Sequence, residues 1–263
     1  MTQGRKLEKR NVLITGGSRG IGRAIAHRFA EEGANLFLCA RRGGPLEEVV
    51  TELQPFGGKI ATHVADVSDQ RSVQEMVQHA LNEFKQIDIL VNNAGIYIPN
   101  RFVDYSLEEF DQVIKVNLYG VFLVTQAVLP GMIERKKGKV INIASTAGKI
   151  GTVNQSAYNA SKHGVIGLTR CVGLEMAAFN INVNAICPSL VDETDMLKPF
   201  VEKQTKILRV SGEDLLKQVV SQVPMHRFVH PEEIANLALY LASDESDGMT
   251  AQSIAIDCGR TMV

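Results

Sequence analysis

The 263-residue chain contains no tryptophan and little cysteine. Its four cysteines are Cys39, Cys171, Cys187 and Cys258. They are far apart and form no Cys-x2-Cys pattern, so the sequence predicts no zinc or other metal site and no disulfide scaffold. No secretory signal is recognisable at the start of the chain, so we expect reduced thiols and a cytoplasmic location.

Neither an excess of charge nor a long apolar run is present. The chain has 28 lysines and arginines against 29 aspartates and glutamates, a formal net charge of -1. Proteins that bind nucleic acid normally carry a basic patch, and a membrane span needs an uninterrupted apolar run of about 18 residues or more. We therefore expect no nucleic-acid partner and no membrane partner.

Short β-branched runs alternate with longer amphipathic stretches along the whole chain. Strands are predicted at 11–15, 35–40, 59–65, 87–91, 139–144, 181–186 and 253–256, and helices at 21–32, 46–53, 72–84, 107–135, 157–178 and 231–241. Nearly all-apolar strands that alternate with helices indicate a parallel sheet covered on both faces. The predicted fold is a single α/β domain over residues 1–263, a doubly wound Rossmann-type sheet that binds ligands at the carboxyl ends of its strands.

A glycine-rich turn, Thr-Gly-Gly-Ser-Arg-Gly-Ile-Gly, follows the first strand and opens the first helix. Small residues at such a turn let backbone N–H groups and the positive end of the helix face a phosphate. The sequence therefore predicts a dinucleotide site here, although a turn that merely closes a strand–helix corner gives the same pattern. The predicted contact residues are Gly16, Ser18, Arg19, Gly20, Ile21 and Gly22.

Arg41 ends the second predicted strand, 19 residues after Gly22. A carboxylate at this place would bind the adenosine 2′-hydroxyl of NAD, whereas arginine accommodates the 2′-phosphate of NADP. No carboxylate is present, and Arg19 lies in the nearby turn, so two guanidinium groups are expected to converge on one phosphate. NADP(H) is favoured over NAD(H); the alternative is that Arg41 and Arg42 are ordinary solvated residues.

Tyr158 and Lys162 are four residues apart in a predicted helix and project from one face. A neighbouring ammonium favours the phenolate, which would bring the phenol toward a working pKa. Ser145 ends the fifth predicted strand, where it is able to donate a hydrogen bond to a carbonyl oxygen. Asn117 is a poor helix former within an otherwise apolar helix.

These segments together resemble the short-chain dehydrogenase/reductase family from about Lys6 to the C-terminus. The matching segments are TGGSRGIG at 15–22, DVSD at 66–69, NNAG at 92–95, VNLYG at 116–120, INIAS at 141–145 and YNASK at 158–162. The resemblance implies that Tyr158 exchanges a proton with the substrate oxygen and that Ser145 orients this oxygen. It also implies that Lys162 holds the nicotinamide ribose while lowering the Tyr158 pKa, and that Asn117 anchors a water linking Lys162 to solvent.

By the same resemblance, Asp66 and Val67 border the adenine, and Asn93 and Gly95 face the adenine-side ribose. Pro188 and Val191 border the nicotinamide. The family's usual Pro-Gly after the sixth strand is Pro188-Ser189 here, and its carboxamide-binding threonine is displaced to Thr194. The resemblance further implies a homotetramer.

The predicted substrate is a small-molecule ketone or alcohol, covered by a lid at about 189–224. The wider resemblance is to bacterial 3-oxoacyl (fatty-acid and polyketide) ketoreductases, which favours reduction of a 3-oxoacyl-type ketone. Two alternatives stay open. One is an NAD-linked alcohol, polyol, hydroxybutyrate or steroid dehydrogenase, and the other is a non-catalytic nucleotide-binding sensor, which would have no use for Tyr158.

Overall fold

Seven parallel strands form one sheet in the computed structural model, which describes residues 4–192 and 197–261. The strands are β1 (Asn11–Thr15), β2 (Asn35–Ala40), β3 (Ile60–Val64), β4 (Ile89–Asn92), β5 (Gly138–Ile143), β6 (Ile181–Pro188) and β7 (Ser253–Ile256). Their spatial order is β3-β2-β1-β4-β5-β6-β7. This is the doubly wound order, in which β2 and β3 lie on one side of β1 and β4 to β7 lie on the other. Such folds bind ligands where the strand order reverses, which is between β1 and β4.

Helices cover both faces of this sheet. They are α1 (Gly20–Glu31), α2 (Gly44–Leu53), α3 (Gln70–Phe84), α4 (Leu107–Ile114), α5 (Gly120–Arg135), α6 (Ser156–Ala177), α7 (Leu197–Leu208), α8 (Gly212–Ser221) and α9 (Pro231–Ala242). Strand β1 contributes side chains to the hydrophobic cores on both faces of the sheet. Val12 and Ile14 pack with α1, α2 and α9, whereas Leu13 packs with α3 and α5 on the opposite face. Side chains of successive strand residues alternate between faces, so an all-apolar strand is buried on both.

The Rossmann-type fold expected from the sequence is confirmed, and the predicted strands fall within a few residues of the observed ones. One predicted helix is wrong in detail. The stretch 107–135 is divided into α4 and α5 by a π-helical turn at Lys115–Tyr119, which contains Asn117. The other addition is the pair α7 and α8, which lie within the segment predicted as the lid.

The stretch Leu107–Arg135 is, among the described residues, the one helical segment long and apolar enough to cross a membrane by length and composition. In the fold, its Val124, Val128 and Met132 are buried against the sheet and α3. The apolar residues on this face of the helix therefore belong to the hydrophobic core.

Candidate active site

A cavity of about 1040 Å³ opens at the carboxyl ends of the strands. Of the residues predicted for catalysis or cofactor binding, those that line it are Gly16, Ser18, Arg19, Gly20, Ile21, Arg41, Asp66, Val67, Asn93, Gly95, Ser145, Tyr158, Lys162, Pro188 and Val191. Gly22 and Asn117 are not among the lining residues. The volume is at the upper end of the range for small-molecule sites, which suits a dinucleotide together with a small substrate.

The glycine turn is shaped by close approaches that a side chain would prevent. Gly16 has a φ of +66° and Gly20 a φ of +51°, in the left-handed region that favours glycine. At Gly22, a Cβ would lie 2.2 Å from the Gly16 carbonyl oxygen and 2.5 Å from Asn93 Nδ2. Gly22, the last glycine of the motif, thus packs against Gly16 and does not line the cavity.

Asn93 holds this turn through its side chain. Its Nδ2 donates to the carbonyl oxygens of Thr15 at 3.0 Å and Gly16 at 2.9 Å, while its backbone N–H donates to Thr15 Oγ1 at 3.0 Å. These bonds tie the end of β1 to the loop after β4. Asn93 therefore fixes the shape of the glycine turn in addition to lining the cavity.

The start of α1 suits a phosphate group. No side chain caps this helix, and no acidic residue lies in its first turn, so backbone N–H donors and the positive end of the helix dipole remain available. Arg19, Arg41 and Arg42 line the same part of the cavity. The uncapped helix and the glycine cradle fit the pyrophosphate of a dinucleotide, and the three guanidinium groups fit a further phosphate on its adenosine.

Ser145 and Tyr158 lie on the wall formed by β5 and α6. Ser145 follows β5 and its Oγ donates to the Pro188 carbonyl oxygen at 3.4 Å and accepts from Ala147 N at 3.1 Å. Burial raises the pKa of Tyr158 to about 12, although the Ser145 hydroxyl beside it favours the phenolate and opposes the rise. The sequence led us to expect a lowered Tyr158 pKa, whereas here the loss of hydration outweighs the effect of the Ser145 hydrogen bond.

Lys162 is buried one helical turn after Tyr158. Its Nζ donates to the Ile143 carbonyl oxygen at 2.8 Å and lies 5.6 Å from the centroid of the Tyr158 ring. Burial lowers the pKa of Lys162 to about 8, since an ammonium group loses hydration there. Lys162 and Tyr158 thus face the same cavity, as their spacing predicts.

Asn117 is fully buried in the π-helical turn and acts on the backbone. Its Oδ1 accepts from Ile96 N at 2.8 Å, and its Nδ2 donates to Ile96 O at 2.9 Å and to Ser161 Oγ at 3.2 Å. Ser161 Oγ in turn donates to the Tyr158 carbonyl oxygen at 2.7 Å. Asn117 therefore ties the loop after β4 to the helix that carries Tyr158 and Lys162. The water that the resemblance assigns to Asn117 stays a prediction.

Several lining residues were not singled out from the sequence. Tyr97 packs edge-to-face on Tyr158, with ring centroids 5.2 Å apart. Leu215 and Gln218 of α8 line the cavity from the predicted lid, and Arg260 does so from the loop after β7. Only the position of Tyr97, two residues after the NNAG segment, gave a signal in the sequence. Thr194 lies outside the described residues.

The model of the family described as short chain dehydrogenase matches residues 10–205 of the chain. Two curated relatives are similar over nearly the full length. A granaticin polyketide synthase putative ketoacyl reductase of Streptomyces violaceoruber is 42% identical over 94% of this chain and 91% of its own. The 3-oxoacyl-[acyl-carrier-protein] reductase of Thermotoga maritima is 40% identical over 97% of this chain and 98% of its own.

Solved structures agree with this picture. A variant of actinorhodin polyketide ketoreductase with NADPH superposes with a TM-score of 0.93, at 36% identity over 97% of this chain and 98% of that one. A xylitol dehydrogenase bound to NAD+ superposes with a TM-score of 0.92, at 33% identity over 95% and 98%. The two neighbours carry different nicotinamide cofactors on the same fold.

Proposed function

This chain belongs to the short-chain dehydrogenase/reductase family of NAD(P)-dependent oxidoreductases, and we propose that it uses NADPH to reduce a 3-oxoacyl-type ketone to the secondary alcohol. The observation that carries this proposal is the convergence of Ser145, Tyr158 and Lys162 on one wall of a cavity that also contains the glycine turn. The ketoacyl reductases among its relatives support the substrate class.

The chain's own residues position the ketone and supply the proton. When bound, the nicotinamide supplies the hydride that adds to the carbonyl carbon. Ser145 donates a hydrogen bond to the carbonyl oxygen and so holds the ketone against Tyr158. The Tyr158 phenol then gives its proton to the same oxygen as negative charge develops there, which yields the alcohol.

The pKa of Tyr158 indicates its protonation state at the start of a reduction. A phenol with a pKa of about 12 is protonated throughout the neutral range, so Tyr158 is ready to act as an acid. Oxidation of an alcohol would need the phenolate at the start. The Lys162 ammonium, 5.6 Å from the ring centroid, stabilises the phenolate that remains after the proton has left.

Asn117 serves this chemistry as a positioning residue. By binding both backbone polar groups of Ile96, it sets the loop after β4 against α6. A second role, in holding a water that returns a proton to Tyr158 through Lys162, is part of the proposal.

The proposed preference for NADPH depends on Arg19, Arg41 and Arg42 at the carboxyl ends of β1 and β2. The competing reading is an NAD-linked alcohol or polyol dehydrogenase, which the NAD+-bound xylitol dehydrogenase keeps open. Turnover with each cofactor in each direction separates the two readings.

We expect Tyr158→Phe to lower kcat by about 100- to 10,000-fold, the usual contribution of a positioned acid. The variant keeps the ring and its packing, so NADPH should still bind with nearly unchanged affinity. Both quantities are measured from nicotinamide absorbance and fluorescence, with a panel of 3-oxoacyl substrates and other ketones. Tyr240→Phe is the matched control, because Tyr240 lies on α9 and does not line the cavity. Retained turnover in Tyr158→Phe would refute the assignment.

The assembly and location expected from the sequence complete the proposal. We propose a cytosolic homotetramer, with residues 189–224 as its substrate lid. All four cysteines are free thiols, which suits a reducing compartment. Tyr119 and Phe122, on the π-helical turn and α5, are 50% and 43% exposed, which suits burial against another copy. Light scattering should give a mass near four times 28.8 kDa.

A further inference from the structure

Arg260 lies in the loop after β7, and strand pairing brings this loop to the cavity. In the sheet register Ile256 is opposite Pro188, so the residues that follow each strand lie side by side. Arg260 Nη1 donates to Ser189 Oγ at 3.2 Å, and Ser145 Oγ donates to the Pro188 carbonyl oxygen at 3.4 Å. Two hydrogen bonds and the Pro188–Ser189 peptide bond therefore link the Arg260 guanidinium to Ser145.

The loop that carries Arg260 is fixed by its own hydrogen bonds. The Asp257 carboxylate accepts from Gly259 N at 3.0 Å and from Thr261 N at 2.7 Å. The Cys258 carbonyl oxygen accepts from Met225 N at 3.2 Å. The backbone on both sides of Arg260 is thus held in place, so its side chain extends from a defined position.

No carboxylate in the part of the chain that the structure describes lies within 4.0 Å of the Arg260 guanidinium, although this side chain is partly buried. A second arginine nearby shows the contrast. Arg227 makes a two-pronged ion pair with Glu233, at 2.7 and 2.8 Å. A guanidinium pairs strongly with a carboxylate or a phosphate, so Arg260 is suited to pair with an anion that comes from outside.

Arg260 lies too far from the adenosine end of the cavity to serve there. Arg41 ends β2, and β7 is five strands away in the sheet. At about 4.8 Å per strand, the two strands are roughly 24 Å apart. Ser189, which Arg260 contacts, follows Pro188, whose carbonyl oxygen accepts from Ser145 Oγ, and all four residues line the cavity. The cation thus lies at the Ser145 end of the cavity.

We propose that Arg260 binds an oxyanion group of the substrate, so that the substrate is an anionic 3-oxo compound. A guanidinium is always charged and pairs with a carboxylate or a phosphate through two parallel hydrogen bonds. The oxyanion is either the carboxylate of a free 3-oxo acid or a phosphate of a pantetheine thioester. The inference rests on the proposed ketone reduction and adds the charge of the substrate to it.

The test compares matched substrates of equal acyl length: 3-oxobutanoate, its uncharged methyl ester, and its coenzyme A thioester. Arg260→Gln should raise KM for the oxyanion-bearing substrate about 10- to 100-fold, the usual effect of losing a hydrogen-bonded charge. It should change KM for the methyl ester less than about threefold, and kcat should change little. Arg260→Lys should restore part of the affinity because it keeps the charge. Arg170→Gln is the control, since Arg170 also donates to a serine hydroxyl, Ser253 Oγ at 3.5 Å, but lies outside the cavity.

The pattern of losses identifies the oxyanion. A loss confined to 3-oxobutanoate assigns the carboxylate, and a loss confined to the thioester assigns the phosphate. Equal losses for all three substrates, or none, would overturn the proposal. Inhibition by butanoate and by butanamide, measured against any ketone that the wild type reduces, gives a second readout. If the oxyanion is the carboxylate, Arg260→Gln should weaken inhibition by butanoate and leave inhibition by butanamide unchanged; if it is the phosphate, neither should change. A wild-type enzyme that reduces no ketone contradicts the proposed function, whereas an active one insensitive to Arg260→Gln contradicts only this inference.

Discussion

Gly22→Ala tests whether the cofactor cradle depends on the contact between Gly16 and Gly22 in the glycine turn. A Cβ at this position would lie 2.2 Å from the Gly16 carbonyl oxygen and 2.5 Å from Asn93 Nδ2. A normal contact needs about 3.4 Å, so the turn and α1 must separate by roughly 1 Å. The added methyl group also meets the Asn93 amide that holds the turn through Gly16 O at 2.9 Å.

Two terms determine the size of the effect. Overpacking at a buried site costs about 1–3 kcal/mol, and a strained or lost Asn93 hydrogen bond adds about 1 kcal/mol. We therefore expect the free energy of unfolding to fall by about 3 kcal/mol. At about 2–4 °C per kcal/mol for a chain of this size, Tm should drop by roughly 6–12 °C. A turn displaced by about 1 Å should weaken NADPH binding by up to about 100-fold, because the backbone N–H groups no longer meet the phosphates.

The assays are thermal unfolding and titration of NADPH fluorescence. Gly167→Ala is the matched control, because Gly167 is exposed within α6 and a Cβ there would meet no heavy atom within 4 Å. That variant should bind NADPH normally and be more stable by up to about 1 kcal/mol, since alanine is the better helix former. If Gly22→Ala binds NADPH as tightly as the wild type and its Tm stays within about 1 °C, the close-packed cradle is the wrong explanation of the motif.

Two further predictions concern charge. Arg41→Asp should lower kcat/KM with NADPH by about 10- to 100-fold and shift the ratio of kcat/KM for the two cofactors toward NADH. The reason is that a carboxylate repels the 2′-phosphate of NADPH and accepts a hydrogen bond from the 2′-hydroxyl of NADH. An unchanged ratio in steady-state assays would refute the role of Arg41 in binding the 2′-phosphate. Burial, and then the charge of His79 beside it at 3.0 Å, lower the pKa of His63, so the folded protein binds fewer protons there than the unfolded chain. The contribution of His63 to the free energy of unfolding should therefore be highest above about pH 6.5 and fall below it. Between about pH 7 and pH 5, the urea midpoint of His79→Gln should fall less than that of the wild type. An equal fall in both proteins would contradict the effect of His79 on the His63 pKa.

The sequence predicted the sheet well because its strands are buried on both faces. Runs such as 12–14 and 36–40 are apolar without interruption, and each is bounded by polar residues. The site residues were predictable for the same reason. In a parallel sheet the carboxyl ends of the strands meet at one edge, so Ser145 after β5 and the glycine turn after β1 had to come together.

Three features were not accessible to that reasoning. The π-helical turn at Lys115–Tyr119 inserts no break in the apolar pattern, so the stretch reads as one helix. The pKa of Tyr158 depends on how completely the cavity walls enclose it, which spacing to Lys162 does not reveal. The place of Arg260 follows from the pairing of β6 with β7, a contact between segments about 70 residues apart.

The asparagines of the family motifs show why a motif can be matched correctly and still be interpreted too narrowly. Asn92 Nδ2 donates to Thr125 Oγ1 and to Asn142 Oδ1, both at 2.9 Å, and so joins β4 to α5 and β5. Asn93 and Asn117 bind backbone groups of the turns on either side of the cavity. Such buried side-chain bonds are costly to leave unmade, so these residues fix the loops whose other atoms meet the ligand. The motifs therefore specify the geometry of the cavity as much as its chemistry. Asn117 in particular holds the loop after β4 through Ile96 and the backbone of Tyr158 through Ser161.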